Sequence, residues 1–458
     1  MNSTNIRSQI TDTLAKKKAA AWEKCAALSD RVLLTDYEAM TTERDGGKIW
    51  TSALRRALDE HEVIVIPPRD DPYFIDDKIT IPSNRHIIAA GAELKLTADC
   101  TLCMFTCESA ADGTHYPITT PRGSNITITG GHFSESRSGR GGYGSSGKFD
   151  PERTFFGVST LFYFGNINDI TITDAEFSCT AGFAVQIGDV DGAFFENIKF
   201  TSCFADGLHI NGNTKNLICR NISGEVGDDL VALNAYDWQN SSVNFGPIDT
   251  VLLENLSLAE TSRYKALRIE PGTYWYDDGS SLDCALRNAI IRSVRGIRTF
   301  KLYYQTPPYK LGTKPERGAV GSADNLFFED IDIDLADPID HFGVYMNSDP
   351  IRGSFAAFEI GANIGFMRLD DIRITLYKDT FPYSYLLCCG PKSVLSGDNE
   401  VFDPYLSSRI DTLELSNIIV NGNRADSADE LIREIRFDDI NNDGHSTALG
   451  EISEIVLI

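Results

Sequence analysis

The sequence predicts an all-β solenoid, a parallel β-helix with capping helices at its N-terminal end. Short apolar runs joined to an Asn or Asp recur along most of the chain, and Asn197 and Asn221 stand 24 residues apart, about one coil of a parallel β-helix. Such folds grow along one axis without adding cores, so a length of 458 residues does not call for several globular units. Residues 1–45 read as an N-terminal helical arm and 46–458 as the solenoid.

Asn2 to Ser29, rich in Ala, Lys, Glu and Leu, reads as a helix packed on the body or a mobile arm. A second helix is predicted over Lys48 to His61, where Ile49, Ala53, Leu54, Ala57 and Leu58 recur at helical spacing. Val63 to Ile66 is a buried strand stopped by Pro67 and Pro68, and Ile79 to Ile81, His86 to Ile88 and Leu94 to Leu96 follow as strands. A helix placed before them would cover the end of the stack, whose edge is otherwise unpaired.

The repeated signature comprises Asn125–Thr129, Asp169–Thr173, Phe194–Ile198, Ile218–Ile222, Leu252–Leu256, Ile290–Val294, Phe327–Ile331, Arg368–Ile372 and Leu415–Ile418. Its Asn and Asp residues are expected to stack as a ladder along one corner, each satisfying a neighbouring backbone. Arg137 to Gly147, rich in Gly and Ser, is expected to be a surface loop near the cleft.

Composition narrows the partners. Charged residues are 24% against 42% hydrophobic, which indicates a globular chain with a large core and not a disordered one. The net charge of −24 disfavours nucleic acid and anionic membranes by repulsion. No apolar run reaches the roughly 18 residues of a membrane span, and Met1 to Lys18 carries no apolar leader core, so a cytoplasmic location is expected. Cys100 and Cys103 have the spacing of half a zinc site, but no second pair follows at a suitable distance. The ten cysteines read as buried small apolar side chains, and neither a metal nor another cofactor is expected.

The chemistry concentrates in Asp206 to Asn234. Asp206 and Asp229 are 23 residues apart, as are Leu208 and Val231, and Ile210 and Leu233. Vertical stacking would therefore bring Asp206, Asp228 and Asp229 to one patch, where like charges raise at least one pKa and give an acid and a base from one residue type. Alternation along the strands predicts one column of Asp206, Asp229, Lys265 and Arg298, and another of His209, Ala232, Arg268 and Lys301.

Phe204-Ala205-Asp206-Gly207 and Gly227-Asp228-Asp229 resemble the first two motifs of glycoside hydrolase family 28, the polygalacturonase-like enzymes, at the family's separation. The third and fourth motifs are altered: Lys265 stands where the family has histidine, and Gly296 to Lys301 resembles its basic motif with one extra residue. The resemblance spans roughly residues 50 to 345. It implies a right-handed pectin-lyase-like β-helix and an inverting glycosidase, with Asp228 as general acid and Asp206 and Asp229 holding the attacking water. Wide carboxyl separation, about 6.5 to 9.5 Å, is what favours inversion.

His209, Lys265, Arg268, Arg298 and Lys301 are candidate substrate-binding residues, and His209 is a candidate stand-in for the family histidine. Trp238, Tyr274, Trp275, Tyr276, Tyr303 and Tyr304 read either as sugar-stacking platforms or as covers for the coil ends. The expected partner is a carbohydrate, galacturonide-like or neutral, offered as an oligosaccharide or a chain end. Two other readings remain at this point. One is a lyase or epimerase using Ca²⁺ with Arg268 or Lys265 as base; the other is a non-catalytic carbohydrate-binding β-helix.

Overall fold

A computed structural model describes residues 3–44, 46–100, 102–110, 120–135, 159–237, 243–262, 264–276, 278–302, 320–335, 356–379, 384–390 and 407–434, and 450–458, with 393–396 and 399–402 as backbone. The chain is a right-handed parallel β-helix, the hand that parallel crossovers adopt in almost every case. Each coil pairs one long bent strand and one short strand with the same elements of the coils before and after it. Thr214–Gly224, for example, pairs in parallel with Phe183–Thr201 on one side and Ile248–Leu258 on the other.

The bends in the long strands explain the repeated Asn and Asp. Asn197, Asn221 and Asn255 adopt left-handed backbone at φ +56°, +55° and +56°, a conformation Asn tolerates better than most residues. Their side chains form a ladder: the Asn255 amide donates to Asn221, Asn221 to Asn197 and Asn197 to Asp174, each at 2.7 Å. The ladder was expected to satisfy backbone groups; it runs from side chain to side chain instead. Inside the coils, apolar residues stack in register, with Phe133 5.4 Å and Phe200 5.7 Å from the Phe177 ring centroid.

Two helices cover the solenoid in different ways. Helix α2 (Thr51–Glu60) buries Ala53, Leu54, Ala57 and Leu58 against the first coils, so it caps the end of the stack. Its predicted first turn is instead a short strand, Gly47–Ile49. Helix α1 (Ser3–Ala26) lies along the flank, where Ile10, Leu14 and Ala21 pack on an outward column of Phe194, Ile218, Leu252, Ile290 and Phe327. Lys17 and Lys24 fix it to Asp169 at 3.1 and 2.6 Å, and Arg7 to Glu329 at 2.6 Å. The β-helix begins before residue 46, because Arg31–Leu33 already pairs in parallel with Val63–Val65.

Cys100, Cys103, Cys107, Cys388 and Cys389 are buried thiols, while Cys179 is exposed. The glycine-rich stretch Arg137 to Gly147 lies outside the described residues. Among the described residues no helix is long and apolar enough to cross a membrane.

Replacing Asn221 with Ala removes two rungs of the ladder and places an alanine at φ +55°. A loss of about 1–2 kcal/mol is expected, read as a lower urea midpoint. An unchanged midpoint would show that the ladder contributes nothing.

Candidate active site

Five strands carry the site: β1 (Phe183–Thr201), β2 (Leu208–Asn211), β3 (Val231–Asn234), β4 (Ala266–Glu270) and β5 (Thr299–Leu302). In β2 and β3, Leu208 pairs with Val231, His209 with Ala232, Ile210 with Leu233 and Asn211 with Asn234. Leu233 pairs in turn with Ile269, and Arg268 with Lys301. Apolar members of these pairs fill the coil, so the alternate positions face outward, and His209, Ala232, Arg268 and Lys301 form one column.

The aspartates sit in the turns that lead into β2 and β3. Gly207 N–H donates to the Asp229 carbonyl at 3.0 Å, and Asp229 N–H donates to Asp206 Oδ1 at 3.0 Å. Both motif glycines are required by space. A Cβ at Gly207 would lie 2.8 Å from the Leu230 carbonyl, and one at Gly227 would lie 2.0 Å from that of Phe204. With the turns this tight, Asp206, Asp228 and Asp229 each bring an oxygen within 4.8 Å of the others. That is shorter than the roughly 6.5–9.5 Å separation that accommodates water between acid and base in inverting enzymes.

Two cations meet the carboxylates from the outward column, Arg268 and His209. Arg268 Nε lies 3.1 Å from Asp229 Oδ2 and Nη2 lies 3.3 Å from Asp228 Oδ1. Its guanidinium also lies 5.4 Å from the Tyr264 ring, which Lys301 approaches at 5.0 Å. His209 Nδ1 is 2.6 Å from Asp206 Oδ2, and Nε2 is 3.3 Å from Asp237 Oδ2. Phe183 stacks on the imidazole at 3.9 Å.

Burial and mutual repulsion decide the protonation states. Asp206 is pushed up to about 6 by burial and then by Asp228, with His209 opposing. Burial pulls His209 down, but the hydrogen bonds to Asp206 and Asp237 outweigh it and raise the imidazole to about 9. Between those values the Asp206–His209 pair is an ion pair. Asp229 is raised well above the carboxylate range, first by burial, and Glu270 likewise by burial and then by Asp237. Neither oxygen of Asp229 has a hydrogen bond among the described residues; its neighbour is the Arg268 guanidinium, whose Nε also lies 3.7 Å from Glu270 Oε1. The three aspartates have the donor set for a divalent cation, and Arg268 already supplies positive charge at that place.

No family model and no curated protein matches the chain. Among solved structures, the chain is similar to a hyperthermoactive exopolygalacturonase from Thermotoga maritima, with 13% identity over 89% of this chain and 97% of that one and a TM-score of 0.47. It is similar to an endo-xylogalacturonan hydrolase from Aspergillus tubingensis, at 16% identity, 84% and 91% coverage and a TM-score of 0.45. A tailspike mutant of E. coli bacteriophage HK620 aligns at 12% identity, 86% and 68% coverage and a TM-score of 0.46. These likenesses are of fold.

The remaining sequence-predicted residues fall in different places. Lys265 and Arg298 were expected in the aspartate column; they line an adjoining cavity of about 930 Å³ with Glu260, Ser262, Asp332 and Arg373. Unequal turns separate them: Gly224 to Leu230 precedes β3, whereas Leu258 to Lys265 precedes β4, and Arg298 and Thr299 N–H both donate to the Lys265 carbonyl. Strand alternation does not extend through such turns. His209, expected to bind substrate, is buried beneath Phe183. Trp275 is half-buried on the hairpin Gly272–Trp275 and Ser281–Cys284, beside Tyr274, which stacks on Phe245 at 4.7 Å. Trp238, Tyr303 and Tyr304 lie outside the described residues.

Asp237, Tyr264, Glu270 and Phe183 were missed. Glu270 had a signal, since Asn211, Asn234 and Glu270 share one position on three successive strands.

Replacing Arg268 with Leu leaves Asp228, Asp229 and Glu270 buried around no guanidinium. Carboxyls with raised folded pKa values bind more protons folded than unfolded, so stability is lost as pH rises through those values. Urea denaturation is expected to give a deficit of about 3–5 kcal/mol at neutral pH and a smaller one at pH 5. A pH-independent deficit would contradict the assigned role of Arg268.

Proposed function

We propose that this protein is a glycoside hydrolase that cleaves a glycosidic bond in an oligosaccharide or polysaccharide. The observation that carries this reading is the meeting of three carboxyls from adjacent coils within 4.8 Å beside a buried guanidinium. Glycoside hydrolysis needs one carboxyl to protonate the departing oxygen and another to attack or to activate water.

Asp228 is assigned as general acid. Its side chain keeps 6% exposure against 0% for Asp229, so of the two neighbours it is the one that reaches a sugar oxygen. Asp206 and Asp229 hold the water. Asp206, paired with His209, is ionised above about pH 6 and takes the water's proton, while Asp229 and Arg268 fix the water's position. The inverting outcome rests on the family resemblance in the motifs around Asp206 and Asp229; the short carboxyl spacing favours retention by the usual rule. Proton NMR of the first-formed anomer distinguishes the two.

The lyase reading needs a neutral base. Burial lowers the Arg268 pKa, but Asp229 and its other acidic neighbours outweigh burial and raise it well above the ordinary value, which argues against Arg268 in that part. Lys265 and Arg298 are assigned to substrate binding in the adjoining cavity, where they suit a sugar carboxylate or hydroxyls.

Reducing-sugar release across a glycan panel tests the assignment. Asp228→Asn is expected to lower kcat by about 10²–10⁴-fold, and equal turnover by wild type and variant would refute its role as acid. His209→Asn removes the cation that holds Asp206 down, so the acid limb of the kcat/KM profile should move to higher pH. An unmoved limb would detach His209 from catalysis.

A further inference from the structure

The carboxyl that takes the water's proton is held by a ring, and the ring must itself be held. Asp206 Oδ2 meets His209 Nδ1 at 2.6 Å, and its Oδ1 accepts from Asp229 N–H at 3.0 Å, so a turn of the imidazole would release one of the two grips on the carboxyl. We infer that Asp237 is a positioning residue for the reaction, locking His209 in the one ring orientation that holds Asp206. The inference rests on the hydrolase reading and adds a residue to it.

The contacts on the ring restrict it in different ways. Phe183 lies flat against it, with centroids 3.9 Å apart and planes 16° from parallel, which fixes the plane of the imidazole. A half-turn about the bond that joins ring to chain keeps that plane and exchanges each nitrogen for a carbon. Only acceptors placed at both nitrogens tell the two orientations apart. Asp206 is the acceptor at Nδ1, and Asp237 Oδ2 lies 3.3 Å from Nε2.

Other polar groups near Nε2 are turned the wrong way to replace Asp237. Asn211 Oδ1 already accepts from Gln186 Nε2 at 2.9 Å and from Val243 N–H at 3.1 Å, so Asn211 presents its amide nitrogen to the ring, at 3.3 Å. Asn234 also presents its amide nitrogen, 3.4 Å from Nε2, and donates to Asp237 Oδ2 at 3.1 Å. Two donors facing each other make no bond, and the carboxylate is the partner for Nε2–H.

Asp237 is itself held in place. It is buried and follows a backbone tied to its neighbours: Tyr236 N–H donates to the Glu270 carbonyl at 2.9 Å, and Gly246 N–H to the Ala235 carbonyl at 3.1 Å. Its contacts with His209 and Asn234 place it one residue away from the reacting groups, so it acts through the imidazole.

The test pairs kinetics with NMR on the full chain. Asp237→Ala is expected to lower kcat by about 10²-fold, the scale of a small misplacement of reacting groups, with KM within about twofold of wild type. Asp237→Asn keeps an oxygen that accepts from Nε2–H and is expected to return kcat to within about tenfold of wild type. Wild-type kcat in a folded alanine variant would overturn the inference. So would a raised KM at unchanged kcat, which marks a substrate contact, or an asparagine variant as slow as the alanine one. Nitrogen-15 NMR of histidine-labelled protein needs no substrate and serves even if the alanine variant does not fold. At neutral pH it is expected to show two ring N–H groups for His209, assigned by their loss in His209→Asn; in Asp237→Asn the Nε2–H signal moves and the Nδ1–H signal stays. An Nε2 without a proton, accepting from Asn211, would overturn the inference and leave the hydrolase reading standing. No turnover of any glycan by the wild type would overturn that reading and the inference with it.

Discussion

One guanidinium, Arg268, holds the site together. Its charge contacts Asp228 and Asp229 and faces Glu270, in a place from which water is largely excluded. Burying an ion is expensive unless partners surround it, and the same low exposure strengthens every attraction it makes. Without that cation, the turns that carry Gly207 and Gly227 would press like charges together with little to offset them. The tight turns and the buried arginine are thus one arrangement: the first creates the repulsion, and the second makes it tolerable.

The arrangement divides the labour among chemically similar groups. Asp206 has His209 as a partner and ionises near 6; Asp229 is wholly buried, which raises its carboxyl well above the ordinary value. Asp228 lies at the edge. Environment alone separates the three, which is how a protein obtains acid and base functions from a single residue type. The β-helix supplies the spacing, since stacked coils repeat a position every 4.8 Å or so whatever the length of the loop between them. Loops may therefore lengthen, as the stretch from β3 to β4 does, without moving the strand positions.

Much of the fold was legible because its constraint is local. A left-handed bend favours Asn or Asp wherever it recurs, so Asn197, Asn221 and Asn255 mark the coils in the sequence itself. The aspartate cluster was legible for a similar reason: equal offsets from Asp206 to Asp229 and from Leu208 to Val231 require only that strands stack. The cation was not. Lys265 and Arg298 share the aspartates' offset, but they stand in turns of different length, and alternation does not carry through a turn. Arg268 lies inside a strand, and its direction follows from the strand. Phe183 and Asp237 come from neighbouring coils and carry no motif that sequence spacing could expose.

The central claim is that burial and mutual repulsion in one cluster around Arg268 raise the carboxyls of Asp206 and Asp229. Carbon-13 NMR titration of aspartate-labelled protein measures it most directly, with Asp229→Asn used to assign the resonance. The account predicts an Asp206 carboxyl titrating near 6 and an Asp229 carboxyl titrating well above an exposed aspartate. Both carboxyls titrating independently near 4, in the range of an exposed aspartate, would contradict it.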